Sequence, residues 1–81
     1  MYDPIAAKHE FEDRAGAVIA KNIREMREKE GLTLSKVDAV SGIAWKTISN
    51  WEKGLCEPSV PKLLWLCRAL KWDLSDVLRG T

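Results

Sequence analysis

The sequence predicts an all-α fold, a compact five-helix bundle whose first helix is extended at its N-terminal end. Apolar residues recur at spacings of three and four along most of the chain, as they do on the buried side of a helix. β-branched residues are scattered at the same spacing, and no alternating run typical of a strand is present. Glycine or proline separates the apolar segments, at Gly31, Gly42, Gly54 and Pro58.

The composition is that of one globular domain, with 81 residues of which 46% are hydrophobic and 31% charged. No apolar run approaches the roughly 20 residues that span a bilayer, and no signal-peptide pattern opens the chain. The cysteines Cys56 and Cys67 form no CxxC pair, and with one histidine, His9, they cannot provide four metal ligands. We therefore expect a reduced, cytoplasmic protein with no cofactor, no metal and no membrane contact.

The first helix is predicted to run from about residue 5 to Glu30 and to end at Gly31, which suits a helix C-terminus. Its apolar residues fall largely along one stripe: Ile5, Phe11, Ala15, Val18, Ile19, Ile23 and Met26. We divide the chain into an N-terminal arm, residues 1–17, and a domain, residues 18–81. The segment from residue 18 onward carries the stronger helical pattern.

Charge is divided unevenly between the two ends of the chain. Residues 1–13 contain Lys8 against four carboxylates, a net charge of −3, although the whole chain has a net charge of +1. Residues 14–81 therefore carry a net charge of +4. This asymmetry predicts a basic domain that is preceded by an acidic arm.

The stretch from Leu32 to Gly54 indicates two short helices with a tight turn between them. Thr33 can cap the first helix, because its hydroxyl accepts hydrogen bonds from free amides, and Gly42 can take the positive φ of the turn. The second helix is predicted from near Ala44 to Lys53. One of its faces is apolar and contains Ala44, Ile48 and Trp51, and the opposite face is polar and basic and contains Lys46, Ser49, Asn50 and Lys53. Such a face suits the DNA major groove, and a helix-turn-helix is predicted.

Two further helices are predicted after this unit. Ser59 can cap a helix that ends at Leu70, and Asp73 can cap a short last helix that ends at Leu78. The inner stripe of the longer helix is expected to contain Val60, Leu63, Leu66, Cys67 and Leu70. Leu64 and Trp65 do not fit that stripe and should point partly outward.

Over residues 18–78 the chain resembles a known protein family, and the resemblance rests on four segments. They are IREMREKEGLT, the pattern G-I-x-x-x-T-I-S-x-W-E-K-G, Pro58-Ser59, and LCRALKWDLSDVL. In this order they resemble the lambda-repressor-like, Xre/Cro-type helix-turn-helix family of small prokaryotic and phage regulators. The resemblance implies sequence-specific binding of double-stranded DNA by a transcriptional regulator such as a repressor. The recognition helix, about residues 44–53, would enter the major groove of the DNA. Regulators of this kind read two half-sites, which implies a homodimer.

The resemblance also implies roles for individual residues. The base-contacting positions are Trp45, Lys46, Ser49 and Asn50. The phosphate-contacting positions are Thr33, Ser35, Lys36, Lys53 and Lys62. Arg27 and Glu52 would form a structural ion pair, which is physically reasonable because a partly buried carboxylate needs a partner such as guanidinium.

The chain departs from the family pattern within the helix-turn-helix. Leu34 stands where a glutamine is frequent, Asp38 replaces a small alanine, and Ser41 replaces a leucine. Ala44 replaces the usual Ser or Thr cap, and Trp45 replaces a polar contact residue. Trp45 can press on thymine methyl groups or pack sideways on the domain, and the sequence leaves both alternatives open.

The sequence leaves two function classes open. The alternative to DNA binding is a protein-interaction module on the same fold, for which Leu34, Trp45, Leu64 and Trp65 supply apolar surface. Candidate homodimer contacts are Phe11, Leu64 and Trp65. No enzyme is expected, because the chain has neither a nucleophile-base set nor a Gly-rich phosphate loop. No second domain is expected to hold a small-molecule effector.

Overall fold

Five α-helices build the chain in the computed structural model, which describes residues 3–81. In chain order they are α1 (Pro4–Lys29), α2 (Leu34–Ser41), α3 (Trp45–Glu52), α4 (Val60–Leu70) and α5 (Leu74–Val77). No strand occurs in this part of the chain. The prediction of an all-α fold with five helices and a helix-turn-helix is confirmed.

Four of the five helices begin at a capping side chain on the preceding residue. These caps are Asp3, Thr33, Ser59 and Asp73. Each cap accepts a hydrogen bond from an amide of the first turn, which has no carbonyl partner inside its own helix. α3 differs, because Ala44 has no polar side chain and makes no capping bond. Local sequence signals therefore determine most of the helix starts.

The core lies where the five helices meet. Each helix contributes one fully buried aliphatic residue, and these are Ile23, Val37, Ile48, Leu66 and Val77. Burial of each such side chain stabilises the fold by about 1.5–3 kcal/mol. Trp51, Leu63, Cys67 and Trp72 complete the buried cluster. Burial also raises the pKa of the Cys67 thiol, so this side chain behaves as a small apolar residue.

The expectation that Val60 belongs to the inner stripe of α4 is wrong, because its side chain is 70% exposed. Val60 is the first residue of α4, and this end of the helix lies outside the core. Leu34 also differs from its expected role as free apolar surface, since it is partly buried and packs against the core. Helical spacing alone does not show where a helix leaves the core.

Two tryptophans join helices through their indole N–H groups. Trp65 of α4 donates a hydrogen bond to the carbonyl of Ser41 at the end of α2, at 2.7 Å. Trp72 donates to the carboxylate of Glu30 at the end of α1, at 2.8 Å. The polar edge of Trp65 is thus used inside the chain, although 49% of the residue is exposed.

α1 gives the molecule its length. Its 26 residues correspond to about 39 Å at 1.5 Å per residue, and the longest dimension of the chain is 49 Å against 22 and 21 Å for the others. None of the described arm residues, 3–17, is buried. No helix within residues 3–81 is both long and apolar enough to cross a bilayer.

Candidate nucleic-acid interface

The turn between α2 and α3 is closed by Ser41, at the position where the resemblance led us to expect leucine. Its buried hydroxyl donates a hydrogen bond to the carbonyl of Val37 at 2.7 Å and accepts one from the amide of Ile43 at 3.1 Å. Gly42 follows with φ of +74°, a left-handed conformation that is costly for residues with a Cβ atom. A hydroxyl and a glycine together therefore fix the angle at which α3 leaves α2.

The N-terminus of α3 is capped from outside that helix, by Asp38 of α2. The Asp38 carboxylate accepts a hydrogen bond from the amide of Trp45, the first residue of α3, at 2.9 Å. This bond supplies the cap that Ala44 cannot, and the negative charge is favourable at a helix N-terminus. This contact explains why an aspartate at position 38 replaces the small alanine of the family pattern. The only sequence signal was the combination of an unexpected Asp38 with a missing cap at Ala44.

The predicted base-contacting residues lie in two turns of α3. Trp45 and Lys46 are exposed at the start of the helix, with 52% of Trp45 accessible to solvent. Ser49 and Asn50, one turn later, are only half-exposed. The structure therefore gives this face a prominent first turn and a recessed second turn.

The predicted phosphate-contacting residues lie at helix ends around this face and are all exposed. The start of α2 contains Thr33, Ser35 and Lys36, the end of α3 is followed by Lys53, and the first turn of α4 contains Lys62. α2 packs against both α3 and α4. The hydroxyl of Thr33 accepts a hydrogen bond from the Lys36 amide at 3.1 Å and retains its own proton to donate.

Arg27 and Glu52 are in direct, bidentate contact. Nε of Arg27 lies 2.7 Å from one Glu52 oxygen and Nη2 lies 3.0 Å from the other, while Nη1 donates to the carbonyl of Leu32 at 2.7 Å. Only 14% of the arginine and 6% of the glutamate side chain is exposed. The hydrogen bond with Glu52 raises the pKa of Arg27, so the guanidinium remains charged. This group joins α1, the loop before α2, and the end of α3.

The candidate dimer residues are all on the surface but on different elements. Phe11 lies on the arm, and Leu64 and Trp65 lie on the outer side of α4. All three are exposed to about half of their area. None of these three residues lies on α3.

A protein-family model described as helix-turn-helix matches residues 23–77, which is more than half of the chain. The chain belongs to this Xre/lambda-repressor-like helix-turn-helix family. Neither a curated protein nor a solved structure matches the chain closely enough to add to this finding. The helix-turn-helix family is a DNA-binding, regulatory one, and the matched range includes Arg27, Glu52 and the whole of α3.

Disruption of the ion pair should destabilise the fold. Glu52→Ala leaves a guanidinium that is largely buried and unpaired, and we expect a loss on the order of 3 kcal/mol in the free energy of unfolding. Arg27→Ala should cost a similar amount, and the double variant should cost less than the sum of the two, because one interaction is removed. Urea melts measure all three variants.

The matched control for this experiment is Arg24→Ala, which removes an exposed ion pair with Glu28 and should change stability little. Additive losses below about 0.5 kcal/mol for each of Arg27→Ala and Glu52→Ala would show that the two residues act independently.

A serine at position 44 should be able to replace Asp38 as the cap of α3. Asp38→Ala should cost about 1 kcal/mol of stability, and Ala44→Ser in that background should recover most of the loss, because serine is a good local cap. Ala44→Ser alone should also add stability, since its hydroxyl would accept from the amides of the second or third residue of α3, which Asp38 does not bind. Hydrogen exchange of that amide, alongside urea melts, measures the result. An unchanged exchange rate in Asp38→Ala would contradict the role of Asp38.

Proposed function

We propose that this chain binds double-stranded DNA sequence-specifically, as a small prokaryotic or phage transcriptional regulator. The recognition helix, about residues 44–53, would lie in the major groove, and residues 18–81 would form the DNA-binding domain. The observation that carries this proposal is the polar face of α3 on a helix held at both ends. Asp38 holds its first amide, and Arg27 holds its last residue. A helix held in this way presents its side chains in one orientation.

Base reading would come from side chains that lie one turn apart. Lys46 can donate to guanine O6 and N7, and the Asn50 amide can pair with adenine N6 and N7. Ser49 can bond to several bases, and the apolar ring of Trp45 can contact a thymine methyl group. Trp45 and Lys46 are more exposed than Asn50. This favours contact of Trp45 and Lys46 with the edges of the groove, with Asn50 one turn farther along α3.

Phosphate contacts would position the domain without reading sequence. The lysines Lys36, Lys53 and Lys62 provide charge at three helix ends, and Thr33 and Ser35 add hydroxyl donors at the start of α2. The free amides at the start of α2 are further donors for phosphate oxygens.

The proposed regulator acts in the cytoplasm as a homodimer, with repression as its expected effect and without catalytic activity. A homodimer matches the two-fold symmetry of an operator with two half-sites about one helical turn apart. No small-molecule effector is part of this proposal.

The alternative function is a protein-interaction module that uses the face of α3 for a protein partner. Its apolar surface is smaller than the sequence suggested, because Leu34 packs on the core. Trp45, Leu64 and Trp65 remain exposed, but Trp45 lies on α3 and the other two lie on α4. These observations favour the DNA proposal.

Substitution of a base-contacting residue and substitution of a phosphate-contacting residue should change the affinity for DNA in different ways. Asn50→Ala should cost roughly 1–3 kcal/mol on the preferred site and little on random duplex, since it removes a base contact. Lys53→Ala should weaken binding to both duplexes alike and lower the salt slope by about one unit, since it removes a phosphate contact. Fluorescence-anisotropy titrations at several salt concentrations, with a site selected from a random library, measure both effects.

The control is Lys21→Ala, which removes an exposed lysine in the middle of α1, outside the proposed interface. It should leave the affinity for both duplexes nearly unchanged. Absence of salt-dependent binding by the wild-type chain to the library would refute the DNA proposal. The face around Trp45 would then be tested against protein partners.

A further inference from the structure

We propose that a cavity between the arm and the domain binds a small organic cation, an amine with an apolar body. This inference goes beyond the proposed function, because the cavity is lined by none of the base-contacting or phosphate-contacting residues. Its wall on α1, from Asp13 to Ala20, lies before residue 23, where the match to the helix-turn-helix family begins. That wall is therefore an addition of this chain to the matched range.

The cavity has a volume of about 420 Å³ and lies between α1, the loop after α3, α4 and α5. Sites for small molecules have volumes of about 300 to 1,000 Å³, and this cavity is within that range. The lining residues of α1 extend over two turns, or about 10 Å of helix. A partner helix would need a longer groove, so the occupant that fits is a small molecule.

Most of the residues that line the cavity are apolar. Leu63, Leu64 and Leu74 lie across from α1, and Val60 lies at the start of α4. Leu64 is 47% exposed and Val60 is 70% exposed. A ligand in the cavity would therefore cover apolar surface that the fold leaves in water, which is favourable.

The charged side chains of the lining are both carboxylates, on Asp13 of α1 and on Glu57 of the loop before α4. Glu57 reaches α1 at Gly16, where a Cβ atom would collide with its carboxylate. Gly16 is unfavourable in the interior of a helix, but it allows this approach. Asp13 and Gly16 are three residues apart and share one side of α1, so the two carboxylates meet the same end of the cavity.

The two carboxylates have no positively charged partner within the described part of the chain. Neither forms an ion pair in residues 3–81. The lining contains no lysine, arginine or histidine. Two nearby negative charges repel each other, and they do so more strongly beside apolar walls than in open water. An ammonium group would relieve this repulsion while its apolar body fills the space along the leucines, so charge and shape together favour an apolar amine.

Trp51 provides a reporter for the cavity, which its side chain helps to line. Its indole N–H makes no hydrogen bond within residues 3–81, whereas those of Trp65 and Trp72 are bound to Ser41 and Glu30. No fully buried side-chain nitrogen or oxygen in this range lacks a partner, so the N–H of Trp51 reaches open space although the residue is only 3% exposed. The cavity provides that space, and the N–H resonance should therefore respond to a ligand.

Titration with phenylbutylamine tests the site, followed by NMR of the backbone and indole N–H groups. Phenylbutanol and phenylbutyrate carry the same apolar body with a neutral and an anionic group. We expect the amine to bind about tenfold more tightly than the alcohol, because the carboxylates attract its charge, and the anion to bind more weakly than the alcohol. The indole signal of Trp51 should shift, and that of Trp45, which does not line the cavity, should not.

Variants separate the charge of the site from its shape. Asp13→Asn combined with Glu57→Gln should lower the affinity for the amine to about that for the alcohol, since shape is kept and charge is lost. Ala17→Leu should weaken binding of both compounds, because its larger side chain fills space at the α1 wall. The control, Glu12→Gln, removes an exposed carboxylate beside Asp13 that does not line the cavity, and it should bind like the wild type. Circular dichroism checks that each variant keeps its helices.

Three results would overturn the proposal. They are an amine that binds the wild type no more tightly than the alcohol does, amine binding that survives the loss of both carboxylates, and shifts that are absent from the residues lining the cavity. The titrations contain no DNA, so their failure leaves the DNA proposal standing. Failure of the DNA titrations likewise leaves this site standing.

Discussion

The bidentate contact between Arg27 and Glu52 is the interaction on which the arrangement of the other elements depends. Two charges with little solvent access are stable only while each satisfies the other, because either one alone would carry an uncompensated desolvation penalty. The same guanidinium donates a third hydrogen bond, to the carbonyl of Leu32, and so also binds the segment that leads into α2. α1, the start of the helix-turn-helix and the end of α3 are thereby held in one relative position, with Ile23 and Ile48 packed in the core beside them.

The opposite end of α3 is held by a different kind of interaction. Asp38 binds the first amide of the helix from α2, and Ser41 closes the turn between the two helices. The eight residues of α3 are too few for a stable helix in isolation, so their conformation depends on these contacts and on the burial of Ile48 and Trp51. A short helix that neighbouring helices fix at both ends can present polar side chains without a large ordering cost on binding.

Local signals made the helix boundaries predictable, because caps such as Thr33 and the glycine at position 42 act over three or four residues. The ion pair was expected only through the family resemblance, since it joins positions 25 residues apart. Asn22, whose amide donates to the carbonyls of Val77 and Arg79 at 2.7 and 2.8 Å, gave no signal, and neither did the bond from Trp65 to Ser41. These bonds end on backbone carbonyls, which carry no residue identity and leave no pattern in a single sequence.

The exposed face of α3 combines apolar and polar side chains. The face of α3 begins with the large indole of Trp45 beside Lys46, and the half-buried Ser49 and Asn50 lie one turn behind. The backbone amide of Trp45 is bound to Asp38, so the start of α3 cannot unwind without the loss of that bond. Lys46 and Asn50 are four residues apart and lie one above the other on α3, whereas Trp45 lies about 140° around the helix from Asn50. The outward side of α3 therefore combines a polar row with a flanking apolar ring, and the two can contact different parts of a ligand.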